Sequence, residues 1–103
     1  MILPDFIERF EKLSNEKVLV LTAQWKGKTD KRNIFLIDSS GNIVWQIEKA
    51  PTVPDPHYVL NFPYNGWKIA PDGKLICCTQ AGYDFEIDWN TGKILRLEEY
   101  HRW

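Results

Sequence analysis

Three acidic side chains, Asp84, Glu86 and Asp88, recur at every second position of one short run, the spacing that puts them on one face of a strand. With His57 they are the residues from which a hydrolase or a metal-dependent enzyme would be built, because converging carboxylates hold cations and share protons. The solvent face of a half-buried strand explains the same alternation without chemistry. Asp88, Asn90 and Gly92 echo the opening of a calcium loop, but its distal acidic ligand and full length are missing. His57 and His101 stand at no metal-ligand spacing with the adjacent Cys77 and Cys78. Neighbouring cysteines on a strand point to opposite faces, so no bridge between them is expected, and thiols in an apolar strand are poor nucleophiles. Ser14, Ser39 and Ser40 have no nucleophile-elbow context. Gly27, Lys28 and Thr29 lack the upstream glycine of a phosphate loop. The expectation is a chain with no catalytic residue, no metal and no cofactor.

Aromatic residues give the stronger signal. Five tryptophans are many for 103 residues. Trp45 alternates with Ile43 and Ile47 and is expected inside, while Trp25, Trp67, Trp89 and Trp103 fall at turns, loops or the end. Exposed tryptophan and tyrosine anchor protein interfaces. Residues 49–73 carry Pro51, Pro54, Pro56, Pro63 and Pro71, so a long stiffened loop is expected there, with a short strand at most over 57–62. Asn65-Gly66 within it reads as a turn. The candidate binding residues are therefore Trp25, Tyr58, Tyr64, Trp67 and Trp89. The alternative use of the same rings is coverage of one end of the core.

Those residues need a frame. The pattern predicts one domain over 1–103: a short helix at 1–15, a first meander at 16–48, the Pro-rich loop at 49–73 and a second meander at 74–103. Phe6, Phe10 and Leu13, with Ile7, form a helical stripe. Lys17–Thr22 and Asn33–Asp38 are apolar strand-like runs, and Asp38–Asn42 has hairpin-turn chemistry. Lys74–Thr79 lines up with Lys17–Thr22, Phe85–Asp88 with Phe35–Asp38, and Gly92–Leu95 with Gly41–Val44, an internal repeat of about 50 residues. The expected fold is mainly β: two three-strand antiparallel meanders forming a twisted sheet, small sandwich or open roll, plus the N-terminal helix.

Composition excludes some roles. A formal net charge of -1 argues against a nucleic-acid or polybasic membrane binder, despite the basic Lys26–Arg32 stretch beside Trp25. No apolar run reaches membrane-span length, and Met1–Phe6 has no basic start or apolar core of a signal peptide. A cytoplasmic location is expected. Open sheet edges make homo-oligomerisation by edge pairing a further expectation.

The repeated Phe-x-Ile-Asp, turn glycine and Ile-hydrophobic pattern, at Phe35 to Val44 and Phe85 to Leu95, resembles the hairpins of quinoprotein-type β-propeller blades. That resemblance implies structural turn residues and no catalytic ones. A closed propeller needs about four or more four-stranded blades, so this chain cannot close one alone. It also looks like a small uncharacterised bacterial β protein, a group that includes immunity proteins of toxin systems. The expected function is a non-catalytic protein-interaction module with a protein partner, either toxin-neutralising or accessory. The alternative is a small-ligand binder with an aromatic pocket near Tyr58, Tyr64, Trp67 and Tyr83. Third comes the hydrolase or metal enzyme.

Overall fold

The computed structural model describes residues 7–22, 32–50, 63–80 and 82–100. Among these residues eight strands form two antiparallel sheets, and no helix is present. The first sheet runs β1 (Ile7–Lys12), β2 (Val18–Thr22), β3 (Ile34–Ile37) and β4 (Ile43–Gln46), in that spatial order. The second runs β5 (Tyr64–Ile69), β6 (Leu75–Thr79), β7 (Tyr83–Ile87) and β8 (Ile94–Tyr100), again in chain order. Nothing among the described residues is a helix long and apolar enough to cross a membrane.

The expectation of two three-strand meanders with an N-terminal helix is corrected at the first strand of each sheet. The helical stripe at Phe6, Phe10 and Leu13 gives way to β1, which pairs Arg9 with Leu21, Phe10 with Val20 and Glu11 with Leu19. A helix of so few residues is marginal in water, whereas β2 has an open edge that a six-residue strand satisfies. The turn that follows is tight: Leu13 N–H donates to Lys17 O at 2.8 Å, and Lys17 N–H to Asn15 Oδ1 at 3.1 Å. Phe10 ends 68% exposed, not buried under a helix.

The second correction is β5, which lies in the stretch read as loop. Its prolines flank the strand without interrupting it. Asn65-Gly66 is a bulge, not a turn: Tyr64 faces Thr79 and Gly66 faces Cys78, with Asn65 as the extra residue. The bulge changes which side chains share a face. Tyr64 and Trp67, three apart, both reach the core, 1% and 5% exposed. A bulge at Val44 acts likewise in β4: Ile43 pairs with Ile37, while Trp45 pairs with Leu36 and is buried. Ile43 is exposed and does not share the face of Trp45 and Ile47 as its spacing suggested. The strand expected at 57–62 lies outside the described residues.

The sheets meet face to face across one apolar core. Leu19, Leu21, Ile34, Leu36 and Trp45 come from the first sheet, and Tyr64, Trp67, Leu75, Cys77, Phe85 and Ile87 from the second. Apolar contact alone does not set how two sheets slide over each other, because it has no direction. Directional bonds do that here. The side chain of Asn33, 3% exposed, accepts Tyr64 N–H at 2.8 Å and donates to Tyr64 O at 2.7 Å and Thr22 O at 3.3 Å. Tyr64 O–H donates to Glu48 O at 2.8 Å, and Trp45 Nε1 to Trp89 O at 2.8 Å. Glu48 N–H donates to Gly92 O at 2.9 Å, and Ile94 N–H returns to Glu48 Oε2 at 3.0 Å.

Gly92 has a second duty. Its φ is +76°, and a Cβ there would sit 2.8 Å from the Trp45 ring. Gly41, at the corresponding turn of the first sheet, has φ +83° and open space around it. Gly92→Ala should therefore cost about 2–4 kcal/mol from strain plus overpacking, against about 1 kcal/mol for Gly41→Ala. Asn33→Leu should cost about 2–4 kcal/mol, because it strands the Tyr64 N–H and C=O in the core. Urea unfolding of the three variants beside the native chain measures both contrasts.

Candidate functional site

The three acidic side chains are engaged separately. Asp84 and Glu86 lie on the outer face of the second sheet, and their side chains are only 3% and 10% exposed. Each has a cation beside it: Lys68 Nζ, from β5, lies 3.8 Å from Asp84 Oδ2, and Arg96 Nε, across the ladder on β8, 2.9 Å from Glu86 Oε1. The Glu86 oxygen has no aligned hydrogen bond, so charge attraction to Arg96 compensates its burial. Asp88 is spent on its own turn, where its Oδ1 accepts Asn90 N–H at 2.8 Å and its backbone oxygen accepts Gly92 N–H at 2.9 Å. Asp38 does the same for Ser40 and Asn42 at 3.0 and 2.9 Å. Among the described residues no three of His, Cys, Asp and Glu converge as a metal site. His57 lies outside the described residues.

Both thiols are free and held protonated. Burial pushes the Cys77 thiol well up, and Cys78 adds to the shift. Cys78 is pushed up to about 12, first by burial and then by its hydrogen bond to Asp84 and that carboxylate's charge. Burial likewise raises the Tyr64 hydroxyl, with Cys77 and Glu48 adding to it.

The candidate aromatics separate. Tyr64 and Trp67 are core residues. Trp25 and Tyr58 lie outside the described residues. Tyr83 is half-buried, packs against the core and stacks on Phe85 with ring centroids 6.2 Å apart. Among the described candidates, Trp89 alone is both half-buried and beside a cavity.

That cavity, of about 430 Å³, opens between the sheets at the end where the hairpin turns lie. From the first sheet come Glu11, Lys12 and the turn residues Leu13, Ser14, Asn15 and Lys17. Ile69 and Gly73 approach from β5 and the turn after it, and Trp89 and Asn90 from the turn between β7 and β8. Leu36, 1% exposed, closes the inner side. Trp89 is pinned twice: its Nε1 donates to Gly73 O at 2.8 Å, and its backbone oxygen takes the Trp45 N–H. Trp67 supports the wall from behind, donating Nε1 to Glu11 Oε1 at 2.7 Å. Arg9 lies 4.2 Å above the Trp67 ring and 3.7 Å from the same Glu11 oxygen. A rigid ring, an aliphatic wall and a rim of polar and charged groups can bind a molecule with one apolar and one polar end.

Sequence reasoning names Trp89 and misses its neighbours. Leu13, Lys17 and Ile69 meet it only through the stacking of two sheets, which no local spacing reports. A signal that could have found them is the row of turn-forming residues at Ser14-Asn15, Asp72-Gly73 and Asp88–Gly92, because every second turn of a meander lies at the same end.

A family described as a domain of unknown function (DUF7957) matches residues 2–99, and the chain belongs to that family. No curated protein matches the chain. No solved structure matches it either.

The raised acids make stability pH-dependent. A group harder to ionise when folded stabilises fully below its unfolded pKa, and that contribution is lost as pH climbs past it. For the thiols the loss starts near 9.0 and continues towards about 12, where folded Cys78 itself ionises. The urea midpoint should fall steadily once pH exceeds 9.0, and Cys78→Ala should shallow that fall. Native Cys78 should also react with iodoacetamide far more slowly than a small free thiol.

Proposed function

We propose that the chain is a non-catalytic binding module whose site is the turn-end cavity. The observation that carries this is the pinned Trp89 ring beside a cavity of about 430 Å³, within the range of small-molecule sites. The protein-interface reading and the aromatic-pocket reading both counted on Tyr64 and Trp67, and both rings are buried; the small-ligand reading is favoured instead by the concave space beside Trp89. A role as an accessory or toxin-neutralising protein stays compatible, with the cavity taking an apolar side chain of the partner.

Self-association through sheet edges is not part of the proposal. Register shifts occur in the four pairs that contain an edge strand and in neither inner pair. Each extra residue, Glu8, Val44, Asn65, Leu95 or Glu98, sits on the edge strand. Bulges twist an edge and break its ladder, which blunts pairing with another chain. Two four-stranded meanders of like order, packed face to face, support a blade-like origin for the two units. Two free thiols support a reducing, cytoplasmic setting.

A thermal-shift screen of small amphipathic compounds tests the site. A ligand that binds only the folded chain raises its melting temperature. Ile69→Asp, at a wall residue 40% exposed in the native chain, should abolish those shifts while costing about 1 kcal/mol or less of intrinsic stability. Ligands whose shifts survive Ile69→Asp unchanged would place binding elsewhere.

A further inference from the structure

We propose that the cavity selects a carboxylate joined to an apolar body; the inference rests on the binding reading above and names its ligand class. The polar capacity of the lining is lopsided. Glu11, the one carboxylate there, has its Oε1 engaged by Trp67 Nε1 and its charge offset by Arg9. The Trp89 N–H is committed to Gly73 O. Asn15 Oδ1 is committed to the Lys17 N–H, which leaves its side-chain amide N–H groups as donors. Lys12 and Lys17 line the cavity and have no ion-pair partner among the described residues, unlike Lys68, Lys74 and Arg96. What remains unspent is mostly donors and two positive charges beside an aromatic and aliphatic wall.

A ligand that answers this set presents acceptors only, carries negative charge and has an apolar end. A carboxylate meets the first two terms, and hydrogen bonds from cations to it are the strong ones. The apolar end goes against Trp89, Leu13 and Ile69. Two sources share this chemistry: a free arylalkyl or branched-alkyl acid, and the terminal carboxylate of a peptide that ends in an apolar residue.

The test uses matched pairs that differ only in charge. The full chain, labelled with ¹⁵N, is titrated with 3-phenylpropionate and 3-phenylpropanamide, then with 4-methylpentanoate and its amide. A peptide ending in Ala-Ala-Phe is added with a free or an amidated terminus. In each pair that binds, the acid should perturb the backbone amides of 11–17, 69–73 and 88–93 with an affinity at least about tenfold above its amide at low salt. Lys12→Gln/Lys17→Gln should bring acid and amide within about threefold, with the melting temperature unchanged. Acid preference confined to the free acids assigns a small organic acid, and preference confined to the peptide assigns a chain terminus; both support the inference. Amides that bind the same residues as well as the acids overturn the carboxylate inference and leave the cavity reading standing. An acid preference that survives the double substitution also overturns it. Probes that move none of these amides overturn the cavity reading and the inference together.

Discussion

Asn33 carries its side-chain amide into the seam between the sheets and there behaves as a short piece of strand. It gives and takes one hydrogen bond each with the backbone of Tyr64, and reaches Thr22 as well. The rest of the interior is apolar and indifferent to small slides of one sheet over the other. This amide is not indifferent: moved by an ångström or two, it would leave two buried backbone groups and its own polar atoms unpaired, at a cost set by desolvation. The seam is pinned again at its other side, where Trp45, Glu48 and Tyr64 bond across it. The turn-end cavity exists because these bonds fix which turns come together.

The edges and the interior solve different problems. In the inner pairs, β2 with β3 and β6 with β7, the register is unbroken and the side chains alternate cleanly. In the outer pairs the bulges protect the edges and also choose faces. The Asn65 bulge sends both Tyr64 and Trp67 inward, and Trp67 then holds Glu11 at the cavity wall. A device that blunts an edge thus also supplies part of the site's support. The buried carboxylates of Asp84 and Glu86, paired with the exposed Lys68 and Arg96, belong to the outer face of the second sheet and take no part in this.

Much of the strand content was readable, and the reasons for the failures are specific. Lys17–Thr22 and Lys74–Thr79 are apolar runs with β-branched or small residues, so no helical reading competed. Asp38 and Asp88 announce their turns because aspartate caps turn backbone groups within a few residues, a strictly local interaction. The segment 7–12 carried helical spacing, yet its state is decided by the empty edge of β2, a partner whose position is set only after the turn at Leu13–Lys17 forms. Asn65-Gly66 carried turn chemistry, and the long-range pairing with Thr79 and Cys78 used the same flexibility for a bulge. For the site, Trp89 stood out by residue type alone. Its neighbours Leu13 and Ile69 come from strands and turns of different sheets, joined by contacts far apart in sequence, and single-residue chemistry does not report such a meeting.

The most direct measurement of the central claim, that the seam opens into a binding cavity at Trp89, is a crystal structure of the chain soaked in a cocktail of small amphipathic fragments. The account predicts ordered density for a fragment between Trp89, Leu13 and Ile69, with the Trp89 N–H still on Gly73 O. A cavity closed by the chain's own side chains, or fragments ordered only at other surfaces, would contradict it.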